Sequence, residues 1–277
     1  MKRKAFAKIN LNLIVLNKRK DNKHNIKSIF HKIDLFDEVE ITKNNLGECL
    51  ISCNIPELEK DNLIMKAFEI LKSVYDITGV NVKLNKRIPM QAGLGGGSSD
   101  CASFIRGMND LFDLKITNED LVKLFAPLGA DIVPCYYDVP LLAKGVGEKV
   151  KKINSNLEFN LVLVKPDISC NTKEMYQRID NEGLIDKNNQ STEKILKALE
   201  DGDVKLLSKN LYNTFESVVD LQNVKEDIIK TGALNALLSG SGSSFFGIYE
   251  NEQDAKKAYE LLNKKYECYL CKSINID

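Results

Sequence analysis

Four glycines fall within the five positions Gly93-Leu94-Gly95-Gly96-Gly97, and Ser98-Ser99-Asp100 follow at once. Residues of these types in this order gather backbone N–H groups around one point. Without a Cβ the chain can take positive-φ turns and let an anion come close. Ser98, Ser99 and Asp100 read as the cap of a helix carrying Cys101, Ile105, Met108 and Phe112 on one face. Amides plus the positive end of that helix would hold a phosphate with no lysine. An idle loop, or glycines needed only for close packing, is the competing reading. A stretch that leaves a strand and runs directly into a helix cap favours the anion site. It is not a GxxxxGK[ST] loop, because no Lys follows the last glycine. Nor is it a GxGxxG fingerprint, because Ser98 stands where the third glycine belongs.

The surrounding elements must hold that loop in place. Ile9, Leu11, Leu13 and Val15 alternate along a strand over 5–16, and Val39 and Ile41 begin another. Between them 17–24 is a polar, basic connection, read as a solvated hairpin loop, and His31 reads as a structural residue of the following strand. Asp61-Asn62 opens a helix with Ile64, Phe68, Leu71 and Tyr75 on one face, and Gly79 is its expected stop. Thr117 and Asp120 predict a capping box for a helix carrying Leu121, Leu124, Phe125 and Leu128, with Asp131 just past Gly129. From residue 152 the pattern restarts: a strand over 159–164, helices around 195–199 and 206–218, Gly232 as a cap, a strand-turn-strand over 236–249, a helix over 253–264 and a last strand. The expected fold is α+β in two lobes, 1–152 and 153–277.

The 277 residues carry 39 Lys+Arg against 39 Asp+Glu, and 43% of them are hydrophobic. That is an ordinary globular composition. Zero net charge argues against broad nucleic-acid or membrane-surface binding, both of which depend on summed cationic charge. Apolar runs such as 161–164 are far short of the roughly 20 residues that span a bilayer. No signal-like apolar segment follows the basic start, and seven scattered cysteines suit reduced thiols, so the expectation is a cytoplasmic protein. Cys49, Cys53, Cys268 and Cys271 could in principle supply four zinc ligands, but their spacing is loose and a strand would send Cys268 and Cys271 to opposite faces. Structural thiols are expected.

The loop Pro89-Met90-Gln91-Ala92-Gly93-Leu94-Gly95-Gly96-Gly97-Ser98-Ser99 resembles the phosphate loop of the GHMP kinases. Three further stretches agree, in order: 7–13, 128–131 together with 145–148, and 238–246. The likeness covers essentially the whole chain and is strongest for the branch whose acceptor is a cytidine-diphosphate-linked polyol. It implies an N-terminal lobe like domain 2 of ribosomal protein S5, an α/β C-terminal lobe, and ATP with Mg2+ bound over residues 89–99. No metal ligand is assigned. Transfer of the γ-phosphoryl group to an alcohol is the implied reaction, with Lys8 and Asp131 as the catalytic pair and Asn10, His24 and Tyr176 on the acceptor. On residue type alone, Lys8 would be a solvated strand lysine and Asp131 a turn residue. In those roles Asp131 accepts the hydroxyl proton and Lys8 keeps carboxylate and hydroxyl in register. Asp100 is expected in the helix cap. A monomer or weak homodimer is expected.

Two departures fall on the acceptor side. The family's Asp-Gly-Tyr-His becomes Asp21-Asn22-Lys23-His24, so Lys23 replaces an aromatic that would stack on the base. Such stacking contributes about 1–3 kcal/mol, roughly 5- to 150-fold in affinity. Ile132-Val133-Pro134 replaces the usual Val-Pro after Asp131. Another alcohol kinase of the same superfamily, with a homoserine- or mevalonate-like acceptor, is the alternative. A nucleotide-binding regulator or an RNA-binding module built on the basic 17–27 segment is a weaker one.

Overall fold

The structure, a computed structural model, describes residues 1–155, 157–185 and 189–276. In chain order it runs β1 (Lys2–Lys18), β2 (His24–Asn44), β3 (Cys49–Cys53), α1 (Leu63–Val74), β4 (Gly79–Asn85), α2 (Gly96–Phe112), α3 (Asn118–Phe125) and α4 (Ile132–Cys135). There follow β5 (Leu141–Gly145), β6 (Lys149–Lys152), β7 (Asn160–Lys165), α5 (Thr172–Glu182), α6 (Ser191–Asp201), α7 (Val204–Lys209) and β8 (Tyr212–Asn213). The chain closes with α8 (Gln222–Lys230), β9 (Asn235–Leu238), β10 (Phe245–Tyr249), α9 (Glu252–Leu262) and β11 (Glu267–Ile274). Contacts divide it into two compact units: Met1–Ala7, Leu35–Met90 and Gly95–Tyr137 form the first, and Lys8–Asp34, Gln91–Leu94 and Asp138–Asp277 the second. Because β1 and β2 each contribute to both, the units interleave along the chain, whereas a division at residue 152 follows chain order.

In the first unit β4 lies between β2, antiparallel with Glu38 opposite Asn85, and β3, parallel with Cys49 opposite Val80. The inward residues Val39, Ile41, Val80, Val82 and Leu84 are buried, as are Phe68 and Leu71 of α1 and Phe104, Ile105 and Met108 of α2. α2 comes close to β2 because Gly107 lacks a side chain; a Cβ there would overlap Ile41 Cδ1. Asn62 caps α1 by accepting from the Ile64 amide at 2.7 Å, as the sequence predicts. The stop differs: α1 ends at Val74, and Gly79 is the first residue of β4. A Cβ on Gly79 would lie 2.6 Å from the Glu48 backbone, so this glycine serves strand packing. The capping box of α3 is complete, with Thr117 and Asp120 each bonding the other's backbone N–H.

In the second unit β7 pairs antiparallel with both β10 and β11, and β9 pairs with β10. β2 receives β5 on its Ile26–Phe30 stretch and the end of β11 at Ile33, and β8 runs parallel to β1 beside Asn12 and Leu13. Val162 and Val164 of β7, Phe245 and Tyr249 of β10, Val224 and Ile228 of α8 and Ala255 and Ala258 of α9 share one buried cluster. The helix expected over 206–218 is instead α7, the short β8 and a single 3-10 turn at Thr214–Ser217. Asn210 and Asn213 break it: Asn213 Oδ1 accepts from the Phe215 amide at 3.0 Å and starts the new turn. All seven cysteines are free, and among the described residues no group of three His, Cys, Asp or Glu could hold a metal ion. Among the same residues no helix is long and apolar enough to cross a membrane.

Candidate active site

The glycine loop is anchored by its apolar residues and left open at its helix end. Ala92 and Leu94 are buried. In the second unit the Leu94 carbonyl accepts from Lys8 N at 3.0 Å, and the Ala92 carbonyl accepts from Ser244 N at 3.3 Å. Gly93, at φ +73°, lies against the turn of the second glycine-serine motif, and a Cβ there would overlap the Ser239 carbonyl oxygen. That glycine is therefore required by backbone packing. In the first unit Gly95, at φ +67°, is the N-cap of α2, and no side chain caps the helix. The amides of Gly96, Gly97 and Ser98 then have no partner within the helix. Gly97 is exposed, with nothing within 4 Å of the place a Cβ would take. Such a helix start is shaped for an anion. Ser99 departs from expectation: its hydroxyl donates to the Phe6 carbonyl at 2.6 Å and its amide to Gly95 O at 2.8 Å. Pro89 is half-buried, and Met90 and Gln91 are exposed.

Lys8 and Asn10 stand two apart on β1, so both side chains project from one face. Lys8 is 3% exposed, its Nζ donates to Asn10 Oδ1 at 2.8 Å, and it lies 5.1 Å from the Phe30 ring centroid. Asn10 Oδ1 also accepts from Gly240 N at 3.0 Å, and its Nδ2 donates to Ser28 Oγ at 2.8 Å. Asn10 is fully buried, and through these bonds it links Lys8 to the 238–246 turn. Gly240 sits at φ +59°, and a Cβ there would lie 2.9 Å from the Gly93 carbonyl oxygen, so that turn also needs its glycine. Asn213, which gave no signal in the sequence, pins the turn by donating to the Leu238 and Gly240 carbonyls, each at 2.8 Å.

Asp131, in the first unit, occupies the N-cap position of the four-residue α4, yet its carboxylate does not cap that helix. Its backbone oxygen accepts from Cys135 N at 2.9 Å. The preceding Gly129 sets the turn against the start of α2, where a Cβ would be 3.8 Å from Ser98 Oγ.

Asp100 corrects the expectation of a cap residue. It lies one turn inside α2, buried, and bonds Lys86 Nζ at 2.6 Å; Lys86 also pairs with Asp37. Burial pushes the Asp100 carboxyl well above the usual carboxylate range although Lys86 opposes this. Burial would lower Lys86, but the attraction of Asp100 and Asp37 raises it.

His24 and Tyr176, in the second unit, are brought together. Their rings stack at 4.6 Å between centroids and 13° between planes, leaving no slot for a third ring between them. Tyr176 also meets Phe215 edge-on at 4.9 Å. His24 Nε2 bonds Asp180 Oδ1 at 2.7 Å, and Lys18 donates to Asp180 Oδ2 at 2.8 Å. Burial raises the Asp180 carboxyl, but these hydrogen bonds outweigh it and hold it below the usual range. Asp180 carried no motif. Only its position one helical turn after Tyr176 could have suggested it.

Three cations of the basic 17–27 segment form ion pairs. Lys18 pairs with Asp180, Arg19 with Asp21 at 3.2 Å and Lys27 with Glu193 at 2.5 Å. A cavity of about 730 Å³ opens in the first unit among Lys2, Lys4, Glu38, Glu40, Lys83 and Asn85, and none of the expected site residues lines it.

Residues 62–139 match the family model described as GHMP kinases N terminal domain, and 195–268 the one described as GHMP kinases C terminal. The 4-diphosphocytidyl-2-C-methyl-D-erythritol kinase of Clostridium tetani (strain Massachusetts / E88) is 37% identical over 290 residues, 99% of this chain and 100% of the relative. A crystal structure of a 4-(cytidine 5'-diphospho)-2C-methyl-D-erythritol kinase superposes with a TM-score of 0.82 at 28% identity, covering 99% of each chain. The homoserine kinase of Cytophaga hutchinsonii, at 18% identity and a TM-score of 0.74 over 99% of this chain and 94% of that one, shares the fold alone.

Proposed function

The chain belongs to the GHMP kinases, and on that premise we propose that it transfers the γ-phosphoryl group of ATP to the 2-hydroxyl of 4-diphosphocytidyl-2-C-methyl-D-erythritol. This is a cytoplasmic step of isoprenoid precursor synthesis outside the mevalonate route. The uncapped start of α2, with open space at Gly97, carries the nucleotide half of the reading. Full-length likeness to relatives named for this acceptor supports the other half.

The residues fit the reaction. The amides of Gly96, Gly97 and Ser98 would hold phosphate oxygens, and the α2 dipole adds to them. Mg2+, which commonly binds with nucleotide phosphates and few protein ligands, neutralises phosphate charge when bound. Asp131, at the start of α4, accepts the proton of the attacking hydroxyl, the role that the family resemblance implies for it. Lys8, held by Asn10, supplies a buried positive charge that orients the hydroxyl and offsets anionic charge. On the acceptor side His24 is fixed by Asp180, so its ring presents one orientation to the base. The base then meets the His24 and Lys23 side of the loop, because His24 and Tyr176 already stack on each other.

Phosphorus NMR of the protein with ATP, Mg2+ and, separately, the cytidyl polyol, homoserine and mevalonate tests this. Phosphorylation of the cytidyl polyol alone is expected. Turnover of another acceptor with none of the first would overturn the substrate and leave the superfamily.

A further inference from the structure

We propose that Lys86, held between Asp37 and Asp100, is a positioning residue that sets both ends of the glycine loop for nucleotide binding; the inference rests on the ATP reading above. Three charged side chains are withdrawn from water together: Lys86 is 4% exposed, Asp37 0% and Asp100 5%. An apolar trio of similar volume would hold the fold at least as well, because desolvation of buried ions offsets most of their attraction. Directional bonds add registry, which an apolar trio lacks.

Here the bonds converge on the two ends of the loop. On the strand side Asp37 Oδ1 accepts from the amides of Arg87 and Ile88, the latter at 2.8 Å. Asn54 brackets Lys86 itself, accepting from its amide at 2.7 Å and donating to its carbonyl at 3.0 Å. On the helix side Lys86 reaches Asp100 in the second turn of α2. The first turn rests on the same group: a Cβ on Gly96 would be 3.1 Å from Ile88 Cγ2 and 3.3 Å from Lys86 Nζ. Lys86 thus ties the end of the strand to the helix whose amides face the phosphates.

The charge of the cluster is also suited to that place. Burial pushes the Asp100 carboxyl upward while Lys86 opposes this. Lys86 Nζ lies against both carboxylates, so an anion on the neighbouring amides meets neither of them without a cation beside it. Asp100 Oδ1, buried with no hydrogen-bond partner, is where a neutral side chain is most readily accommodated.

The test compares Lys86→Met, Asp100→Leu and Asp100→Asn by ATP titration calorimetry, steady-state KM for both substrates, and thermal unfolding. Lys86→Met and Asp100→Leu should weaken ATP binding at least tenfold while the acceptor KM stays within about twofold. Asp100→Asn, which keeps an oxygen for Lys86, should bind ATP within about twofold of wild type. A purely structural cluster would lower Tm and leave ATP affinity unchanged, or shift both KM values equally; either result in a folded variant overturns the proposal. Should Lys86→Met fail to fold, the Asp100 pair decides alone. Wild-type protein that fails to bind ATP would instead overturn the nucleotide reading itself.

Discussion

Gly97→Leu separates ligand binding from folding more cleanly than any other change in the glycine loop. The residue is the second of α2, exposed, and a Cβ there meets nothing within 4 Å. Replacing a helical glycine with leucine favours folding by roughly 0.5–1 kcal/mol, so Tm should hold or rise by a few degrees at most, at about 2–4 °C per kcal/mol for chains of this size. Helical side chains lean toward the N-terminus. The leucine would therefore cover the amides of Gly96 and Gly97. A hydrogen bond to a charged group contributes about 1.5–3 kcal/mol, so losing two costs roughly 3–6 kcal/mol, a weakening of at least about 10²-fold. Gly95→Val is the less informative change, since at φ +67° a β-branched residue strains the backbone whatever the ligand does. Titration calorimetry with ATP, alongside scanning calorimetry of the same samples, is the assay. A Gly97→Leu protein with wild-type Tm and an ATP Kd within threefold of normal would refute the anion site.

Three further outcomes are expected. Asp131→Asn should keep Tm and ATP affinity while kcat falls about 10²- to 10⁴-fold, the usual contribution of a general base, as read by a coupled ADP assay; near-normal turnover would place the base elsewhere. Asp180→Asn should loosen His24 and raise the acceptor KM roughly tenfold, about 1.4 kcal/mol, with the ATP KM unchanged. His31 is fully buried, with Nδ1 on the Lys32 carbonyl and Nε2 without a partner, and burial lowers its pKa from 6.5 to about 4. Above pH 6.5 both states are neutral there; as pH falls toward 4 only the unfolded chain gains the proton, so roughly 3 kcal/mol of stability should be lost over that window. Urea unfolding at pH 7, 5.5 and 4 measures it, and a His31→Leu protein should lose that part of the slope.

What the sequence made legible was whatever chemistry acts between near neighbours. Asn62 and the Thr117–Asp120 pair announce helix starts because their side chains bond amides two or three residues away, and the structure has both. The misread segments are those decided by distant backbone. Gly79 resembles a helix stop, yet it faces Glu48 across the β3–β4 pair. Over 206–218 an apolar period suggests one helix, but Asn213 reaches the carbonyls of Leu238 and Gly240 and breaks it. Asp37 and Asp180 were invisible for the same reason. Each works through partners tens of residues away, separations of about 50 and 156 that no periodicity encodes.

The glycine loop itself shows how far a motif can be read. Its composition points to an anion, and the spacing does not say which glycine serves it. Gly93 is required by the Ser239 carbonyl, Gly95 by a left-handed turn and Gly96 by its seat on Ile88 and Lys86. Each of these would be glycine in a protein that bound nothing. Only at Gly97 does the structure leave a glycine with no internal reason to be one, at the point where three helix amides face outward. A helix start would gain stability from almost any other residue there, so a glycine in open space is itself the signature of something that must come close.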